Sequence, residues 1–117
     1  MKRINKILSD LGLVTAGWEE ISMNINADRS WSPNLNLTGE NVISFVWNNL
    51  TNNIDLSYRL ANVGFPIVLF DVSNLYFDMS YSKDPREQGS YLGVFVDIRK
   101  VWEFITENLF WSSKRLS

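Results

Sequence analysis

Three carboxylates in the second half of the chain have the residue type and the spacing to attempt chemistry. Asp71 and Asp78 flank a turn expected over Val72 to Leu75, in the stretch FDVSNLYFD, and Asp97 ends the later apolar run SYLGVFVDI. A pair or trio of strand-borne carboxylates offers the hard oxygen ligands that Mg²⁺ or Mn²⁺ prefers, as in a metal-dependent nuclease. Such a site wants a lysine two residues beyond an acid on the same strand. The sequence instead reads Asp97-Ile98-Arg99-Lys100, which puts Lys100 on the wrong parity. The alternative is that Asp71 and Asp78 edge or end their strands, where acids keep a sheet soluble and block edge-to-edge pairing.

Other chemistries are closed by composition. The chain has no His and no Cys. That removes Ser-His and Cys-His nucleophiles, His-ligated metal and disulfides. The six glycines fit neither a P-loop nor a dinucleotide fingerprint. With so little left for acid–base work, the residues point away from an enzyme and from any cofactor or metal, and toward binding.

Two acidic and aromatic groupings are the candidate binding residues. On a helix expected from about Arg99 to Trp111, Glu103, Glu107 and Phe110 share the face opposite the apolar arc. An aromatic ring between carboxylates suits a protein interface with a basic partner. A second group, Glu19, Glu20 and Asp28 with Trp18 and Trp31, surrounds the first expected strand. Charge supports the same idea. Lys2, Arg3, Lys6, Lys114 and Arg115 lie at the two ends. Between Ile7 and Ser113 there remain six basic against thirteen acidic residues, a net −7. An acidic body repels nucleic acid and steers a basic protein partner.

The elements that must position these groups make one α+β domain over residues 1–117, which is ordinary for this length and for 45% apolar composition. Ile4, Ile7, Leu8 and Leu11 give a first helix over Lys2 to Leu13. Ile21, Met23 and Ile25 alternate as a half-buried strand. Thr38 caps a second helix whose arc is Val42, Ile43, Phe45, Val46 and Leu50, with Trp47 at its edge. Residues 54–63 fit either a strand or a helix; Gly64, Phe65 and Pro66 form a helix stop and favour a short helix from Asp55 to Val63. PIVLFDV, LYFDMSYS and SYLGVFVDI follow as three strands. The expected architecture is an antiparallel sheet of about four strands packed with three to four helices. The basic N-terminus is interrupted by polar residues and does not read as a signal peptide, and no apolar run is long enough to span a membrane, so a cytoplasmic protein is expected.

In size, acidity and aromatic content, and in the stretches GWEEISMNI and KVWEFITENLFW, the chain resembles bacterial immunity proteins. These are the small proteins that neutralise contact-dependent growth inhibition toxins or bacteriocins. The resemblance implies a monomer or weak dimer that occludes the active site of a cognate, basic, nuclease-type toxin domain. The contacts, read from the acidic and aromatic pattern of this chain and not carried over from that family, would be Glu19, Glu20, Asp28, Trp31, Glu103, Glu107 and Phe110. Two alternatives are an acidic protein that mimics nucleic acid and a small metal-dependent enzyme built on Asp71, Asp78 and Asp97.

Overall fold

The computed structural model describes residues 1–50, 52–92 and 94–104, which form a mixture of short helices and strands. They divide into two compact units, one built from residues 1–47 and 56–69 and the other from residues 48–55 and 70 onward.

The first unit is organised by a three-stranded parallel sheet in the order β1 (Thr15–Trp18), β4 (Val42–Val46), β5 (Ile67–Leu69). Thr15 pairs with Val42 and Trp18 with Phe45; Ser44 pairs with Ile67 and Val46 with Leu69. A separate antiparallel hairpin joins β2 (Met23–Ile25) to β3 (Trp31–Pro33). The expected second helix is therefore a strand. Val42, Ser44 and Val46 are buried while Ile43 and Phe45 are half-buried, the period-2 signature of β4. Four of its five residues are β-branched or aromatic, which favours the pleated state.

Parallel strands need a crossover, and α2 (Leu56–Asn62) supplies it between β4 and β5. The helix expected from Asp55 is thus present. It ends as expected: Gly64 takes φ +102°, its N–H bonds the Ala61 carbonyl, and Phe65 N–H bonds the Leu60 carbonyl at 3.1 Å. Leu56, Leu60 and Phe65 pack with Leu37, Val42 and Val46 into the core, and Ile21, Met23, Val63 and Ile67 lie against it. The sheet is parallel because its strands are bridged by crossovers, not by the hairpin turns that an antiparallel meander needs.

The first helix, α1 (Lys2–Asp10), presents an unexpected face. Its apolar stripe is exposed at Ile4, Ile7 and Leu11, and the buried residue is Asn5. The Asn5 side chain donates to the Glu40 carbonyl at 2.8 Å and accepts from the Thr15 hydroxyl, tying the helix to the start of β1 and to the approach to β4.

In the second unit, two loops and two short helices surround buried Val72, Met79 and Val96. LYFDMSYS and SYLGVFVDI do not form full strands among the described residues. One parallel bridge joins Met79 to Ser90, and Val96 N–H reaches the Ser80 carbonyl. The tail of PIVLFDV becomes helix α3 (Val72–Leu75), where a tight turn was expected. Asn49 and Ser73 form a reciprocal pair: the Asn49 amide donates to the Ser73 hydroxyl at 2.6 Å, and Ser73 N–H donates to Asn49 Oδ1 at 3.3 Å. The last described helix, α4 (Ile98–Trp102), is held to α3 by the Asn74 amide on the Lys100 carbonyl.

Candidate functional site

In sheets of parallel strands joined by helices, ligand sites form outside the carboxyl ends of the strands, where the loops that follow them converge. In the first unit the carboxyl end of β1 is Trp18, followed by a 3-10 turn over Glu19–Ser22, and the carboxyl end of β4 is Val46, followed by Trp47. The two strand ends are neighbours in register, and two carboxylates link them.

Glu19 is 1% exposed. Its Oε2 accepts the Trp47 backbone N–H at 2.9 Å. Glu20 is exposed, and its Oε1 accepts from the Trp47 indole Nε1–H at 3.3 Å. Consecutive acids can do both because the 3-10 turn points them in different directions. Glu19 goes inward to the main chain and Glu20 outward to the ring. Trp18, 48% exposed, meets Phe45 edge-to-face with ring centroids 6.1 Å apart at 74°. Trp18, Phe45 and Val68 form one cross-strand row, since Trp18 pairs with Phe45 and Phe45 with Val68. The result is an aromatic surface edged by the exposed Glu20 carboxylate. It can pack against the flat apolar face of a ligand and accept hydrogen bonds at its rim.

Close packing supports the turn. A Cβ at Gly17 would lie 3.0 Å from Ile21 Cδ1, so glycine lets the turn fold back against β1. Beyond it, Asn34 N–H reaches the Ser22 carbonyl at 2.8 Å and fastens the turn to the hairpin.

The structure distributes the other expected site residues differently. Asp28 lies in the β2–β3 loop, fully exposed. Its carboxylate accepts from the Ser30 hydroxyl at 2.6 Å and from Ser30 N–H, and these bonds hold it below the usual aspartate range. Trp31 starts β3 opposite Ile25, so it is a strand residue and not a loop plug. Glu103 is the residue that ends α4 and donates its N–H to the Arg99 carbonyl. Glu107 and Phe110 lie outside the described residues.

The three aspartates do not form one site. Asp97 is an N-cap, its Oδ1 accepting Lys100 N–H at 2.9 Å. Asp78 is exposed, whereas Asp71 is 1% exposed with no hydrogen-bond partner for Oδ2 among the described residues. Burial pushes the Asp71 carboxyl up to about 6. Among the described residues no group of three acids could hold a metal ion. The second unit does contain a cleft of about 390 Å³ lined by Phe77, Tyr81, Asp97, Ile98 and Trp102. It is mainly apolar, and its one carboxylate is engaged in capping α4.

Sequence reasoning named Trp18, Glu19 and Glu20 but left Trp47 at the edge of a helix. The signal that would have found it is VISFV, read as a strand that ends just before Trp47 and pairs with TAGW.

Comparison with known proteins gives the family context. Residues 1–115 match glycosyl hydrolase family 20, catalytic domain. A β-hexosaminidase of Vibrio vulnificus is 32% identical over 111 residues, which is 93% of this chain and 12% of that protein. β-Hexosaminidase B of Pseudoalteromonas piscicida is 26% identical over 110 residues, 93% of this chain and 13% of that protein. The chain thus spans about an eighth of the length of these relatives. No solved structure matches it significantly. These similarities overturn the resemblance to toxin-immunity proteins, and with it the non-enzyme assignment and the basic toxin partner. The nucleic-acid mimic and the aspartate-based metal enzyme fall with them. Acidity and missing His and Cys misled because neither excludes membership of a glycosidase family, whose chemistry needs neither residue type as nucleophile.

Proposed function

This chain belongs to glycosyl hydrolase family 20, and we propose that it supplies an aromatic wall of a hexosaminide-binding site in a β-hexosaminidase-type enzyme. The observation that carries this reading is the exposed Trp18 indole at the carboxyl end of β1, linked through the adjacent Glu20 to the Trp47 indole at the end of β4. A pyranose ring has an apolar face of C–H groups and a rim of hydroxyls. Trp18 suits the face, and Glu20 holds the Trp47 ring beside it. Family 20 is among the glycosidases in which the substrate itself supplies the nucleophile. A segment contributing to such a site therefore does not need the close carboxylate pair of a retaining enzyme.

Two features favour a segment that works within a larger body. Parallel sheets are normally covered on both faces, yet among the described residues Trp18 and Val68 remain exposed on one face of this sheet. The apolar stripe of α1 is also open, and a helix of that composition is stable when the stripe is covered.

A titration of the chain with a methyl β-hexosaminide, followed by tryptophan fluorescence, tests the binding surface. A saturable change that Trp18→Ala abolishes is expected. A saturable change of equal size in Trp18→Ala would remove this surface from consideration.

A further inference from the structure

We infer that Glu20 is a positioning residue that fixes the orientation of the Trp47 ring, while Glu19 fixes the main chain from which that ring projects. The role in sugar binding rests on the proposed hexosaminide site; the coupling of Glu20 to Trp47 does not.

A tryptophan placed just beyond a strand end has two freedoms that would spoil a binding wall. The backbone can swing, since residues beyond a strand lack ladder hydrogen bonds, and the ring can rotate about its side-chain bonds. The two consecutive glutamates act on these freedoms separately. Glu19 Oε2 accepts the Trp47 backbone N–H at 2.9 Å from a position buried to 1% exposure. A carboxylate is the stronger type of acceptor, and burial strengthens the bond. Glu20 Oε1 accepts the Trp47 Nε1–H at 3.3 Å. An indole has one polar atom and donates only, so a bond to it selects one ring orientation from those sterically open.

The same turn that presents the two carboxylates starts at Trp18, whose ring is braced by Phe45. Three consecutive residues, Trp18, Glu19 and Glu20, thus set one aromatic ring directly and a second through its backbone and its indole. Glu20 is then a residue that determines how well the wall fits a ligand without needing to touch it. It differs from Glu19 in consequence. Loss of Glu19 disturbs a buried main-chain bond, whereas loss of Glu20 releases a half-buried ring.

Nitrogen-15 labelled chain in a two-dimensional proton–nitrogen spectrum tests this. The five tryptophans give separate indole signals, and Trp47→Phe identifies the Trp47 signal by its loss. Glu20→Ala is expected to shift that signal and speed its exchange with water, leaving the backbone amide spectrum of the core unchanged. Glu20→Gln keeps an acceptor at the same reach and is expected to hold the Trp47 signal close to its original exchange rate. A Trp47 indole that exchanges equally fast in the unaltered chain, Glu20→Ala and Glu20→Gln overturns the proposal. Titration of methyl β-hexosaminide in the same samples separates the two levels. With a functioning wall, Glu20→Ala weakens binding about ten-fold, the loss of one charge-assisted hydrogen bond, and Glu20→Gln by about two-fold or less. If no saccharide moves any indole signal while Glu20→Ala still releases the ring, the positioning stands and the hexosaminide site fails. If saccharide binds with equal strength to all three chains, the site stands and the role of Glu20 in it is overturned.

Discussion

The Glu19 carboxylate reaches across from the end of β1 to the backbone N–H of Trp47 at the end of β4, 2.9 Å away, from a position closed to solvent. It continues the ladder between the two strands by one side-chain bond. Removing the acceptor leaves a main-chain donor without it, at a cost of about 1–3 kcal/mol. Glu19→Ala is expected to lose that much stability in urea unfolding. Glu19→Gln, which can offer a carbonyl oxygen to the same N–H, loses less. Equal losses in the two variants would refute the hydrogen bond as the cause.

Asp71 gives the chain a pH dependence of defined sign. Its carboxyl is raised to about 6 by burial, from 3.8 in the absence of that environment. The folded state therefore holds the proton more tightly than the unfolded state. Stability from this group is highest below the unfolded value, declines between the two values, and is fully lost above about pH 6. At pH 7 the charged, buried carboxylate costs on the order of 3 kcal/mol. Asp71→Asn, which is neutral and of the same shape, is expected to be more stable than the natural chain at pH 7.5. It is also expected to flatten stability between pH 4 and 6. A variant that is less stable at pH 7.5 would mean that the carboxylate has a favourable charged partner in the folded state.

Gly89 is required by space and by backbone shape together. It has φ +128°, and a Cβ there would lie 2.8 Å from Ser80 N and 2.9 Å from the Asp78 carbonyl. That carbonyl accepts Ser90 N–H at 2.7 Å, so the added methyl would open the Met79–Ser90 bridge. Gly89→Ala is expected to cost about 2–4 kcal/mol, with faster amide exchange at Ser80 and Ser90. Unchanged exchange at those two amides would contradict the close approach.

The exposed stripe of α1 makes an opposite prediction. Ile7→Gln and Leu11→Gln remove apolar surface that is already in water, so the stability of the chain on its own changes by about 0.5 kcal/mol or less. The same pair is expected to reduce binding of a hydrophobic dye and concentration-dependent self-association, measured by light scattering. A loss of several kcal/mol would show that the stripe packs inward.

Local signals in the sequence were legible where geometry near the residue decides the outcome. Gly64 needs a positive φ and stops α2, and the period of Ile4, Ile7, Leu8 and Leu11 makes a helix. That period does not say which face is covered. Asn5 took the buried face because two hydrogen bonds, to Glu40 and Thr15, were available there. Val42, Phe45 and Val46 satisfy a helical period as well as a strand, and Ser44 at a buried position hid the alternation. Parallel pairing with Thr15–Trp18 decided for a strand, and pairing is not visible in either segment alone. Of the candidate site, the acids and Trp18 could be named from their types. Their purpose depended on Trp47, whose place follows only from that pairing.

The pairing of β1 with β4 also orders events in time. The chain between them contains the whole β2–β3 hairpin, whose contacts are local. Hairpins close in about 1–10 μs, whereas distant parallel pairing must first meet a larger loop-closure entropy. The hairpin therefore forms early and shortens the loop that β1 and β4 have left to close. The Glu19 and Glu20 bonds to Trp47 depend on that long-range pairing, so the aromatic wall is completed only once β1 and β4 have met.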